Sequence, residues 1–381
     1  MNKTNKIIVG IIIVVIIIAG VWYRIEKNSI EEEVIKIGGA FALTGDAAEW
    51  GQGDLEGTQM AIDEVNMGGG IDGMMLKLIA EDTQTTAIGT VNAINKLVNV
   101  DGVQAIIGPT WGDSFQGGVP IIQQYKVVLI TPSAAIETVL DKEKYEYFLS
   151  TYFPQKGEML RIQKYAFSKG IKNFVVVCDL DPFNKYFGDL FISAAPQNDL
   201  AVVKLFEVAR EDKDFRTIIT QIKNLSIKPD AIFFEVATAT QVGTFAKQLK
   251  EQGVVIPIWS SSSFEDLSLE VIKNFQKDLL DDAIYTRPKV AVKDFAQKYF
   301  EKYHKEMMRP TVSNAYDATM AIIETLKNGA RTGEQIKNEL YKIQIPGVTF
   351  KEISFDQFGQ VSGGEFFIKT IKDGEFIVLE E

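Results

Sequence analysis

Ile35-Lys36-Ile37-Gly38-Gly39-Ala40-Phe41 opens a strand, helix, strand pattern. The β-branched run gives way to residues 55–65, where Met60, Ile62 and Val65 recur as they do along a helix. Gly68-Gly69-Gly70-Ile71-Asp72-Gly73 then turns the chain into a second apolar run, Leu76-Lys77-Leu78-Ile79-Ala80. Two short strands separated by a helix imply a parallel sheet flanked by helices, an α/β fold.

The alternation continues outward from this unit. Ala105-Ile106-Ile107 and Val127-Val128-Leu129-Ile130 read as strands, each followed by small and polar residues. A second series begins after Thr151-Tyr152-Phe153-Pro154, with strands expected at 174–178, 201–206, 231–234 and 256–259. Helices are expected there at about 157–169, 185–195, 213–224 and 240–252. Ala283-Ile284-Tyr285-Thr286-Arg287-Pro288 is another strand and break, followed by helical patterns at about 291–306, 313–328 and 332–341. Ile353-Ser354-Phe355 and Gly364-Glu365-Phe366-Phe367-Ile368 read as a hairpin turning across Asp356-Gln357-Phe358-Gly359.

With 381 residues the chain has room for two or three domains. At 46% hydrophobic and 24% charged its composition is that of a folded globular protein. The net charge of −11 repels phosphate backbones and argues against nucleic acid as a partner. Cys178 is the sole cysteine, so neither an intrachain disulfide nor a cysteine-based zinc site is possible. It ends the run Phe174-Val175-Val176-Val177 and is read as a buried strand residue. His304 is the sole histidine and lies in the charged stretch Phe300-Glu301-Lys302-Tyr303-His304-Lys305, which places it at the surface. No Gly-x-Ser-x-Gly elbow and no nucleophile–base set are present, so the chain is read as a non-enzyme that uses no cofactor.

At the N-terminus, Lys3 and Lys6 precede an uncharged apolar run from Ile7 to Tyr23, which Arg24 closes. Seventeen residues make about 25 Å of helix, enough to span with flanking residues snorkelling. No small-x-small cleavage site or lipoprotein cysteine follows. The expected arrangement is a transmembrane helix that holds the body outside the cytoplasm, with a cleaved signal as the alternative. Glu31-Glu32-Glu33 reads as a solvated spacer.

From Ile35 to Glu381 the chain resembles the type I periplasmic substrate-binding proteins of ABC importers, in particular the leucine/isoleucine/valine-binding group. Six strings carry the resemblance: Ile37 to Gly45; Ala61 to Asn66 with Gly69 to Gly73; Ile106-Ile107-Gly108-Pro109; Leu129 to Ala134; Ala315-Tyr316-Asp317-Ala318; and Ile353 to Gly359. It implies a two-lobed fold in which each lobe is a mostly parallel sheet flanked by helices, closing on a ligand by a hinge. With crossings near 151–155, 284–288 and 345–350, lobe 1 comprises 35–152 and 286–346, and lobe 2 comprises 153–285 and 347–381. Residues 1–34 are the anchor and spacer. The implied function is capture of a small polar ligand, an amino acid or a related compound, for delivery to the permease subunits of an ABC importer. The alternative is a ligand-sensing extracellular domain that signals through a separate membrane partner.

The resemblance also points to ligand-binding positions, in the loops beyond the strand ends. After Gly108, the family's carboxylate-binding serine falls at Gly112, within Pro109-Thr110-Trp111-Gly112-Asp113-Ser114. Gly112 keeps only a backbone N–H, Asp113 is either a helix cap or a contact, and Ser114 is placed to replace the lost hydroxyl. After Thr131-Pro132, Ser133 keeps a hydroxyl, but the family's threonine position is Ala135. The acid that meets the ligand ammonium falls at Ser261 or Ser262, where no acid stands, and Glu235 is the nearest substitute, with a structural ion pair as the other reading. Trp50, Trp111 and Phe187 are candidate aromatic contacts, with core packing as the alternative for each. A Rossmann reading of Gly51-Gln52-Gly53-Asp54-Leu55-Glu56-Gly57 with Asp82 fails on spacing. The ligand, on these losses, is not a branched-chain amino acid held in the family's usual way.

Overall fold

The computed structural model describes residues 34–111, 117–134, 145–289, 293–307 and 309–380. The strands are β1 (Ile35–Phe41), β2 (Leu76–Asp82), β3 (Ala105–Ile107), β4 (Val128–Thr131), β5 (Phe148–Ser150), β6 (Asn173–Asp179), β7 (Ala201–Val208), β8 (Ala231–Glu235), β9 (Ile258–Ser260), β10 (Ile284–Pro288), β11 (Phe366–Lys372) and β12 (Glu375–Glu380). The helices are α1 (Ala48–Met67), α2 (Ala87–Asn99), α3 (Val119–Tyr125), α4 (Gln155–Ser168), α5 (Pro182–Ala194), α6 (Arg216–Lys223), α7 (Ala239–Glu251), α8 (Phe264–Asn274), α9 (Lys293–Tyr303), α10 (Thr311–Lys327) and α11 (Gly333–Leu340).

Two sheets result, one per lobe. The first has the order β2-β1-β3-β4-β5 and is parallel throughout, with Ile37 opposite Leu78 and Ile107 opposite Ile130. The second has the order β12-β11-β10-β9-β8-β6-β7, parallel except where β11 runs against β10 and β12. Side chains alternate across a strand, so β6 feeds both faces: Val175 and Val177 enter one core, Phe174, Val176 and Cys178 the other. Helices cover both faces, which is why these strands read as unbroken apolar runs. Cys178 is 1% exposed, and burial pushes its thiol up to about 12, so it is an inert core residue. His304 is exposed.

In lobe 1, α1 and α10 pack closely because glycines line the contact. A Cβ on Gly57 would sit 2.0 Å from the Val312 carbonyl oxygen, and one on Gly53 would sit 3.1 Å from the Val312 side chain. This close approach brings the start of α10 beside the start of α1, at the carboxyl ends of the strands.

The chain end departs from the sequence reading. Phe355 and Val361 form only an isolated bridge, whereas β11 pairs with β12 across Asp373-Gly374. Both turn residues have positive φ, 52° and 75°, the geometry of a two-residue hairpin turn that matches strand twist. Thr286, Arg287 and Pro288, placed in lobe 1 by the sequence reading, are strand residues of the seven-stranded sheet. Residues 347–361, carried into lobe 2 by that reading, stay with lobe 1: Gln360 bridges Ser150, and Phe350, Ile353, Phe355 and Val361 join its core. Among the described residues no helix is long and apolar enough to cross a membrane. The Ile7–Tyr23 run lies outside the described residues.

Candidate functional site

The carboxyl ends of β1, β3, β4 and β5 carry the loops of lobe 1 that a ligand would meet. Asp82, at the end of β2, fastens the first: its carboxylate accepts from the N–H groups of Leu43, Thr44 and Gln84 and from the Thr44 hydroxyl at 2.7–3.2 Å. The next two loops are tied to each other. Thr110 Oγ1 accepts from Ala42 N at 3.0 Å, and Thr131 Oγ1 donates to the Pro109 carbonyl at 2.8 Å.

Ser133 stands where the sequence reading put it, at the end of β4, but its hydroxyl is committed. It donates to Asp54 Oδ1 at 2.6 Å. Asp54 is fully buried in α1 with no cation beside it among the described residues, and burial raises its carboxyl to about 7 against the opposing hydroxyls of Ser133, Thr110 and Thr311. Asn314 holds the same loop, donating to the Pro132 carbonyl at 3.1 Å and accepting the Thr151 hydroxyl at 3.0 Å.

Lobe 2 presents the serine run. Glu235, at the end of β8, accepts from Ser260 Oγ and Ser261 N at 3.1 Å each, from Ser261 Oγ at 2.6 Å and from Ser263 Oγ at 2.9 Å. A carboxylate has about four acceptor positions, so these donors fill it. Burial raises its carboxyl, with the serine hydrogen bonds acting against the shift. Glu235 therefore organises the serine turn, and no lysine or arginine pairs with it among the described residues. Ser261 is buried and Ser262 half-buried; the Ser262 N–H donates to Glu158 Oε1 at 2.6 Å, from the first turn of α4.

The aromatic candidates divide. Phe187 is 1% exposed and packs edge-on against Phe183 at 5.0 Å in the lobe 2 core, so its ring is a packing element. Trp50 is half-buried at the start of α1, with the Arg309 guanidinium 4.9 Å from its ring centroid. Trp111 is half-buried at the end of the loop after β3. Gly112, Asp113, Ser114 and Ala135 lie outside the described residues. Tyr316 supports the wall of lobe 1, donating to Glu64 at 2.9 Å, while Asp317 receives the N–H groups of Val348 and Thr349 at 2.8 Å and so anchors the last crossing.

An ion-pair chain crosses between the lobes. Arg309, just before α10, meets Glu49 at 3.1 Å within lobe 1 and Asp266 of α8 in lobe 2 at 3.3 Å. Asp266 also meets Arg287 of β10 at 3.3 Å, and Arg287 in turn lies 3.7 Å from Glu265. Sequence reasoning does not reach Asp54, Glu158, Asp266 or Arg309, because none stands in a strand-end string. Asp54 carried one available signal, an acid between two glycines and the apolar helix face. The described residues hold no grouping of side chains suited to a metal ion.

The chain is similar to known proteins over nearly its whole length. The Leu/Ile/Val-binding protein of Escherichia coli (strain K12) is 22% identical over 343 residues, 89% of this chain and 91% of that one. The crystal structure of the branched-chain amino acid transporter substrate binding protein of Streptococcus pneumoniae in complex with isoleucine superimposes with a TM-score of 0.71 at 23% identity, over 92% of this chain and 100% of that one. A solute binding protein of an ABC transporter from Rhodopseudomonas palustris, in complex with 3,4-dihydroxy benzoic acid, gives 0.72 at 20% identity, over 92% and 97%. These likenesses match the two-sheet architecture. With the family model for periplasmic binding protein matching residues 34–375, the chain belongs to the periplasmic binding protein family.

Proposed function

We propose that this protein captures a small polar ligand, an amino acid or a related compound, between its two lobes outside the cytoplasm and delivers it to the permease of an ABC importer. The observation that carries the reading is the ion pair that joins the two lobes beside their strand ends, Arg309 before α10 with Asp266 in the first turn of α8 at 3.3 Å. Buried hydroxyls and carboxyls, Ser133 with Asp54 on one side and Ser261 and Ser262 with Glu235 and Glu158 on the other, line loops where α/β sheets hold ligands. The likenesses to proteins whose names state binding of leucine, isoleucine and valine, or of 3,4-dihydroxy benzoic acid, support a small carboxylate-sized ligand. On this reading β1 to β5 with residues 293–361 move as one lobe and β6 to β12 as the other. Ile7–Tyr23 remains as the membrane anchor. A metabolite screen by thermal shift tests the binding role: a compound that stabilises the protein saturably supports it, and no stabilisation by any solute rejects it. Sequencing of the mature N-terminus tests the anchor; a start between Val21 and Glu33 rejects it.

A further inference from the structure

The outer face of α4 differs in character from the molecule that carries it. At about 100° per residue, Lys156, Leu160, Lys164 and Phe167 fall within roughly 80° of one another on the helix. All four are exposed, Leu160 by 41% and Phe167 by 50%. Glu158, the sole acid of α4, points the other way and is 1% exposed. Lys156 and Lys164 have no carboxylate partner among the described residues, although the chain as a whole carries a net charge of −11.

Beside this face a groove of about 430 Å³ opens between α4 and the points where β10 ends and β11 begins. Leu160, Arg161, Lys164, Lys289 and Glu365 line it. Arg161 is committed to the Phe366 carbonyl at 3.1 Å and to Glu380 at 2.8 Å. Glu365 is shared by Lys289 at 3.4 Å and Lys351 at 2.7 Å. Two carboxylates therefore stand against four cations around the groove, and Lys164 keeps its charge uncompensated.

A free phosphate would use the groove alone and leave Leu160 and Phe167 in water. A row in which lysines alternate with apolar side chains fits a membrane interface better, because the cations meet headgroup phosphates while the apolar tips enter the acyl boundary. The acidic remainder of the surface is repelled by an anionic bilayer, so attraction confined to this face also orients the molecule.

We infer that the outer face of α4 rests on an anionic lipid surface, with a headgroup phosphate held by Lys164 and Lys289 at the groove and with Leu160 and Phe167 dipping among the headgroups. Lobe 2 is then the lobe held at the membrane, and lobe 1 is the one that moves.

Lipid quenching on the full-length chain tests this. Cys178 is buried, so a fluorophore attached through Ser168→Cys, at the rim of the face, reads this surface alone. In phosphatidylglycerol nanodiscs containing spin-labelled lipid the label should be quenched, and quenching should fall at least fivefold in phosphatidylcholine discs and in the variant carrying Lys156→Glu and Lys164→Glu. Both lysines are exposed and unpaired, and the melting temperature confirms that the variant folds; should it not, Leu160→Ser with Phe167→Ser carries the same expectation. Equal quenching in the two lipids, equal quenching in variant and wild type, or no quenching in phosphatidylglycerol overturns the inference. A dimer in light scattering that Lys156→Glu and Lys164→Glu dissociate assigns the face to a second copy of the chain and overturns it too.

Discussion

Replacing Asp266 with asparagine should open the cleft. Asp266 lies between two guanidinium groups, each 3.3 Å away, but only the contact with Arg309 joins one lobe to the other. Arg287 keeps Glu265 at 3.7 Å when Asp266 is neutral, so lobe 2 retains its own pairing. Two unit charges about 4 Å apart at an effective dielectric near 20 attract by about 4 kcal/mol. Asp266 and Arg309 are each 22% exposed, so desolvation and side-chain entropy offset much of that attraction. A net preference for closure of about 1–2 kcal/mol remains, which is roughly a 5- to 30-fold shift in the open-to-closed ratio. Single-molecule fluorescence transfer between dyes on α2 and α7 reads that ratio directly. Wild type should open progressively from low to molar salt, where the Debye length shrinks to about 3 Å. Asp266→Asn should start more open and respond little to salt. The reasoning is refuted if the variant shows the wild-type ratio at low salt, or if Asp266→Asn and Arg309→Gln combine additively in a double-mutant cycle.

Two further perturbations probe the frame around the site. Gly57→Ala would drive a methyl to 2.0 Å from a backbone oxygen on α10, and since backbone cannot swing away the helix pair must separate; a loss of about 2–4 kcal/mol in urea unfolding is expected, and a loss below about 0.5 kcal/mol would show the contact to be soft. Burial raises the Asp54 carboxyl to about 7 in the folded protein against 3.8 for a free one, so its burial costs nothing while both states are protonated, destabilises increasingly as pH rises from about 4 to 7, and costs its full amount, of the order of 4 kcal/mol, above that. Asp54→Asn should therefore be more stable than wild type at pH 8 and close to it at pH 4, and an equal difference at both values would contradict the assignment.

Periodicity carried most of the architecture. Phe174 to Cys178 and Ala231 to Phe234 are apolar at every position because both faces of a parallel sheet are covered, and such runs are legible without tertiary knowledge. The last hairpin was harder, since residues 353–355 and 366–368 both look like strands. The deciding signal was the Asp373-Gly374 pair between two alternating segments, which favours a tight turn over the longer Asp356 to Gly359 loop. In the site, Glu235 and the serine run are neighbours because β8 and β9 are adjacent strands, so reading the strand ends brought them together. Glu158 reaches Ser262 from a helix 104 residues away, and nothing local in the sequence encodes that meeting. Phe187 shows the opposite failure: an aromatic before a glycine fits a binding loop and a helix packed on a sheet equally well, and burial decided it.

The central claim, a ligand held between two hinged lobes, is tested most directly by small-angle scattering on the purified protein with and without a saturating ligand from the thermal-shift screen. The account predicts a smaller radius of gyration in the ligand-bound state and a larger ligand-induced change in high salt, where the unliganded protein starts more open. A ligand that binds saturably while the radius of gyration stays the same would contradict it.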